Sequence, residues 1–338
     1  MVHVTYCKSG VAELPTAARR GIKGRGILVN NTASVKVNKP KKKGLSGRAR
    51  DQISGYLMIA PFLLLFLVFI VVPVVWSLIL SVTHYNIVQP MSWAGLDNYR
   101  DLLTNDDLFI TACKNTFTYA IIVGPIGFLA CFLLAWMINQ LKFRNAFAMA
   151  FYAPSLVGGI AMSVIWLVLF SPDRYGLIND RLISMGFISE PLLFTMDPKF
   201  IMPVIIIVAL WSSLGAGFLT NLAGLNNIPN DRYEAAQIDG IKNKFQELIY
   251  ITLPSVKPQL LFSSIMAIIG ALGVFDAAVG IAGFPSPDYA AHTIVGHMFD
   301  FAFLRFELGY ASAIAFILFL LNFGIGRIFM KLLSSKGE

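Results

Sequence analysis

Long apolar runs alternate with short polar breaks along most of this chain. Six apolar segments stand out, at about residues 57–83, 115–138, 147–170, 201–223, 259–283 and 309–332. As helices, runs of this length cross a hydrocarbon core of ~30 Å. The pattern predicts an all-α integral membrane protein with six transmembrane helices. Pro61 and Pro73 fall inside the first segment, where neighbouring helices re-satisfy the carbonyls that a proline frees. Gly158, Gly159, Gly215, Gly217, Gly270, Gly273, Gly324 and Gly326 lie in the later segments. Small residues there predict close backbone approach between spans; a gating hinge at any one of them is the alternative.

The polar interruption at 224–258 is patterned as two short helices. Pro229 and Asn230 suit a helix start, and Gly240 suits a helix end, because a residue without Cβ turns left-handed easily. A second helical piece, about 242–252, then runs into Pro254. The prediction is a sharp corner at Gly240 on a loop that presents a surface to a partner.

Composition agrees with a membrane protein. Only 14% of the 338 residues are charged and 56% are hydrophobic, with a mean hydropathy of +0.67. Soluble domains run near 25% charged, so a water-soluble fold is excluded. Twelve of the 27 Lys and Arg lie in the first 56 residues, against two acids, Glu13 and Asp51. Next to a span, such a basic tail points to anionic lipid and to orientation rather than to nucleic acid. Its longest apolar run, Ile27 to Val29, is too short for a signal peptide, and Arg19, Arg20, Lys23 and Arg25 leave a transit peptide as the minor alternative. Residues 1–56 are expected to be a disordered cytoplasmic tail.

With the N-terminus inside, 21 Lys and Arg fall on the inner side and 6 on the outer. That bias puts both termini and the Gly240 loop in the cytoplasm. Cys7, Cys113 and Cys131 show no paired or metal-binding spacing. His3, His84, His292 and His297 are too scattered for ligands, and the last two read as solvated loop residues.

The run Tyr233-Glu-Ala-Ala-Gln-Ile-Asp-Gly240, followed by Ile251-Thr-Leu-Pro254, resembles the EAA loop of the permease subunits of binding-protein-dependent ABC importers. Gly95 to Arg100, Asn115-Thr116, Tyr175 to Asn179 and Phe306 to Ser312 resemble the same family. The likeness covers about residues 50–335 and is nearest to the sugar-importer branch, the maltose and glycerol-phosphate type. It implies a type I importer bundle with a cytoplasmic coupling helix that docks on an ATPase, through Arg232, Tyr233, Glu234, Ala235, Ala236, Asp239, Gly240 and Pro254. Ten residues separate Gly240 from Ile251, one more than the family's usual spacing, which leaves the register of the second helix open. The resemblance further implies a heterodimer with a second permease, two ATPase subunits carrying ATP and magnesium, an extracytoplasmic binding protein and a bacterial cytoplasmic membrane. The cargo it implies is a carbohydrate, an oligosaccharide.

Polar groups at membrane depth are expensive and mark function by default. Asp276 in the fifth segment is either an acid on the solute's path or one met at the outer interface. Asn221, Ser212, Ser264 and Asn322 face a wet path or hydrogen-bond between helices, and Trp211, like Trp166, stacks on a sugar ring or packs. The chain carries no phosphate-binding Gly-x4-Gly-Lys motif and no catalytic set, so it is expected to be no enzyme and to hold no cofactor or metal of its own. An ion-coupled secondary transporter of a small polar solute is the alternative. That class usually shows internal repeats and several midplane charges, where only Asp276 is prominent here.

Overall fold

The computed structural model describes residues 45–157 and 159–334, so most of the basic tail and Gly158 lie outside the described residues. Two compact units divide the chain after Pro61. Within the first, residues 45–61 are the opening turns of α1 (Leu45–Phe66). The helix starts ahead of the predicted edge at 57 because Arg48, Arg50, Asp51 and Gln52 carry no helix-breaking signal.

In the second unit a π turn at Leu67–Val71 leads into α2 (Val72–Leu80). Pro73 lies just beyond it and has no N–H for the carbonyl four residues back, which its ring also crowds. One extra residue in the turn makes room. From Phe62 to Ile79 nearly every side chain is exposed and apolar, a surface suited to lipid. A short pairing of β1 (Thr83–His84) with β2 (Ser92–Trp93) follows, then α3 (Asp97–Thr104). The 33-residue α4 (Asp107–Asn139) is capped by Asp106, whose carboxylate accepts the Phe109 N–H at 2.9 Å.

The predicted span at 147–170 is broken. It consists of α5 (Arg144–Tyr152) and α6 (Gly159–Leu169), bent by 97° beside Pro154 and Gly159. After α7 (Leu177–Ser184) come α8 (Pro198–Ser213) and α9 (Ala216–Asn226), which together form the fourth span. The polar interruption folds as α10 (Asn230–Ile238), α11 (Lys244–Glu247), a π turn at Leu248–Thr252 and α12 (Leu253–Ser255). An 80° bend then leads into α13 (Lys257–Leu272). The fifth span is interrupted after Leu272 and resumes as α14 (Asp276–Ala282). Short α15 (Ile294–Phe299) precedes the long α16 (Leu308–Ser334). Among the described residues, four helical stretches are long and apolar enough to cross a membrane, and two bent pairs raise the number to six.

At the centre of this unit α4 packs on α8, α9 and α13. Tyr119, Val123, Ile201, Ile205, Ile268 and Leu272 form its core. The loops and short helices of this unit gather at two ends of α4. One end holds the strand pair, α3 and α15; the other holds residues 140–143 and α10 to α12.

Candidate functional site

Three features have chemistry: the corner at Gly240, a cavity against α4, and a buried histidine pair at the opposite end.

At the corner, α10 begins at Asn230 after the extended Pro229, as the sequence suggested. It closes with the Gly240 N–H on the Gln237 carbonyl at 3.2 Å and the Ile241 N–H on the Ala236 carbonyl at 3.0 Å. This is a Schellman closure, which needs a left-handed residue; Gly240 has φ +95°. A Cβ added there would meet nothing within 4 Å, so backbone angle alone selects glycine. The second helical piece does not stop at Pro254. It runs to Ser255 and breaks at Val256, because the π turn before Pro254 absorbs the residue that the proline displaces.

The corner is tied shut from within. Ala236 is buried, Arg232 donates to Ser255 Oγ at 3.0 Å, and the Tyr233 and Thr252 hydroxyls lie 3.4 Å apart. Ala236 is thus the buried member of the Glu-Ala-Ala run. Glu234, Ala235, Asp239 and Gly240 face outward. A groove of about 380 Å³ between the helices is lined by Arg232, Ala235, Ala236, Asp239 and Pro254 among others. The outward surface also holds Ile238, Phe245 and Tyr250, which sequence reading missed. Ile238 is 87% exposed. The signal available was an apolar residue off the buried face of a polar loop.

The cavity, about 550 Å³, is walled by α4, α8, α9, α13 and α14. Ser212 and Asn221 line it, together with Tyr119, Phe128, Cys131 and Phe262. Ser212, Phe262 and Met266 are exposed, so this wall is open on one side. Asn221 is buried and receives the Ser263 hydroxyl on Oδ1 at 3.2 Å. Trp211 lines a second crevice, beside the bend between α5 and α6, and meets Trp166 edge-on at 5.2 Å. Ser264 and Asn322 are not in the wall. They bond the Leu261 and Leu318 carbonyls of their own helices rather than a neighbour. Asp276 is not mid-helix. It is exposed and opens α14 after the break, one residue before Ala277 of the cavity wall.

At the other end, His292 and His297 are buried, not solvated. Their rings meet, Nε2 to Nδ1, at 2.9 Å; His297 Nε2 reaches Asp106 Oδ2 at 2.9 Å, and the Tyr310 hydroxyl donates to the same oxygen at 2.8 Å. Burial, then the neighbouring His297, pushes His292 down to about 4. Burial also lowers His297, against the pull of Asp106. Burial alone would raise the Asp106 carboxyl, but the Phe109 N–H, Tyr310 and His297 hold it below its usual range. Both imidazoles are therefore neutral at pH 7.

A corner-shaped loop at one end, a cavity in the helix core and a latched loop layer at the other define a multi-pass helical membrane protein of transporter type. Residues 125–336 match the model of the binding-protein-dependent transport system inner membrane component. The chain is 35% identical over 283 residues to the probable ABC transporter permease protein YesP of Bacillus subtilis, covering 82% of this chain and 89% of that one. It is 33% identical to the arabinooligosaccharides transport system permease protein AraP of the same organism, over 84% of this chain and 90% of the relative. A bacterial ABC transporter involved in import of the acidic polysaccharide alginate has the same fold, with TM-score 0.74 and 24% identity over 87% of this chain and 99% of that one. The chain belongs to the family of binding-protein-dependent transport system inner membrane components.

Proposed function

We propose that this chain is a permease subunit of an ATP-driven ABC importer that passes a carbohydrate, an oligosaccharide, into the cell. Relatives named for arabinooligosaccharide and lactose transport support the cargo class. The observation that carries the reading is the Gly240 corner, a loop with apolar side chains turned outward and, among the described residues, nothing covering them. It docks on one of two ATPase subunits, which hold the ATP and magnesium. Arg232, Tyr233, Glu234, Ala235, Ala236, Asp239, Gly240 and Pro254 form or brace the contact. The loop end is cytoplasmic, both termini lie there, and the histidine end faces an extracytoplasmic binding protein. A second, related permease closes the open side of the cavity. Ser212 and Asn221 lie on the solute's path; Asp276 and Trp211 flank it, and Ser264 and Asn322 brace its helices.

Closure of the ATPases moves α10, and the ties from Arg232 to Ser255 and from Tyr233 to Thr252 pass that movement into α13. Opening the bundle this way gives alternating access. Gly240→Val forces a β-branched residue into a left-handed conformation, at a cost of ~1–2 kcal/mol, with no clash to blame. The purified importer carrying it is expected to keep hydrolysing ATP while uptake in proteoliposomes falls. Uptake at the parent rate, or uptake by wild type without ATP, would count against the mechanism. The second result would favour an ion-coupled transporter.

A further inference from the structure

The cavity wall has a uniform chemical character. Every lining side chain is apolar or uncharged polar, and none is Asp, Glu, Lys, Arg or His. The one formally charged residue adjacent in sequence to a lining residue is Asp276, beside Ala277, and it is an acid. A carboxylate or sulfonate against this wall would lose water there without meeting a counter-charge from the residues that line it, and an unpaired buried ion is strongly disfavoured. The amino end of α9, at the Gly217 wall, offers only about half an elementary charge. A neutral ring has what it needs. Tyr119, Phe128 and Phe262 present aromatic surface for the C–H faces of a sugar, and Ser212 presents a hydroxyl for its edges.

One polar group is set apart from the rest. Asn221 is only 3% exposed, yet it lines the cavity. Ser263 holds Oδ1 of its carboxamide, and no described residue bonds the Nδ2 end. Buried amides ordinarily find partners on the protein. An amide fixed at one end and open at the other, in the wall of a cavity, is placed to donate to a cargo oxygen.

We infer that the cavity selects an uncharged saccharide, with the Asn221 carboxamide, held by Ser263, as the specificity-determining donor. This rests on the reading of the chain as a carbohydrate permease. The alginate importer moves an acidic polysaccharide, so the fold itself does not impose neutrality; the side chains of this wall do.

The binding protein also selects cargo, so the cavity is tested without it. The detergent-solubilised importer, permeases and ATPases together, is dialysed to equilibrium against labelled lactose, arabinotriose and a trimer of uronic acid. A neutral sugar is expected to be retained and the uronate is not. Asn221→Leu should weaken retention of the neutral sugar by about tenfold, the scale of one lost buried hydrogen bond, and Asn221→Gln should restore part of it. Ser212→Lys, on the exposed side of the wall, supplies a cation. It should raise uronate retention relative to the neutral sugar by about tenfold, an exchange of specificity that a folding defect cannot produce. Uronate held as tightly as the neutral sugars by wild type overturns the inference, as does a ratio unmoved by Ser212→Lys. Retention of no probe removes the cavity as a saccharide site. The underlying function is tested separately in vesicles with the binding protein present. ATP-driven uptake of the uronate alone would overturn neutrality and leave the importer standing, whereas uptake of no saccharide would overturn the cargo class itself.

Discussion

Single asparagines and glycines organise the end that carries the histidines. Asn98 donates to the carbonyls of Ser81 and Thr83, and Asn179 donates to those of Ser171 and Leu192 and receives the Leu192 N–H. Asn115 holds the carbonyls of Tyr289 and His292, and Thr116 accepts the Ile294 N–H. Gly309 leaves no room for a Cβ against the Thr83 carbonyl. These are the residues by which the loop segments resembled the permease family, and each satisfies backbone groups that irregular chain would otherwise bury unpaired. The histidine pair belongs to the same layer but was not legible, since a spacing of five says nothing of a partner at Asp106. Its pH behaviour follows from the sign of the shifts. Both histidines bind protons less readily folded than unfolded, so the folded state loses stability as pH falls below about 6.5 towards about 4. Loss of the Asp106 carboxylate adds to this at still lower pH. The melting temperature of the purified protein should therefore be flat from pH 7 to 8 and fall by a few degrees near pH 5. His292→Gln should flatten that slope, and an unchanged slope in this variant would assign it elsewhere.

Among the elements, two of the wide turns share a cause. The π turns at Leu67–Val71 and Leu248–Thr252 each end two residues before a proline, Pro73 and Pro254. A proline inside a helix strands the carbonyl behind it, and an added residue lets that turn relax. In the Gly240 loop the π turn lies between Gly240 and Pro254 and sets which residues of the second helical piece are buried. Leu248 and Thr252 stay buried on one face, while Ile249 and Tyr250 bulge outward. Deleting Ile249 should therefore convert the π turn to an α turn, keep Thr252 facing Tyr233, and leave transport near the parent rate. Deleting Ile265 within α13 should abolish transport by turning the cavity wall. Equal damage from both deletions, measured as uptake in proteoliposomes, would count against the explanation. The bent third and interrupted fifth spans escaped the sequence for a related reason. Hydropathy averages over a window, and a break at Pro154 or Gly273 does not change the average.

For the whole molecule, orientation is the property on which the functional reading depends. The proposed orientation, drawn from the bias in Lys and Arg, has the Gly240 loop inside and the strand pair outside. Val88 is 89% exposed near the strand pair, and Phe245 is 65% exposed on the loop. In a chain without its native cysteines, Val88→Cys should react with a membrane-impermeant thiol reagent added outside. Phe245→Cys should react only after the membrane is opened. The reverse pattern would put the loop out of reach of a cytoplasmic ATPase.

The apolar segments and the Gly240 corner were legible in the sequence alone, because hydropathy and glycine's backbone freedom are local properties. Tertiary structure alone decided that Ala236 faces inward, that Ile238 and Phe245 form the outer surface, and that Asn221 but not Ser264 reaches the cavity. It also decided the burial of the histidines, of which His297 meets Asp106 across 191 positions of chain. Each of these depends on which face of one helix meets another, a relation no single stretch of residues contains.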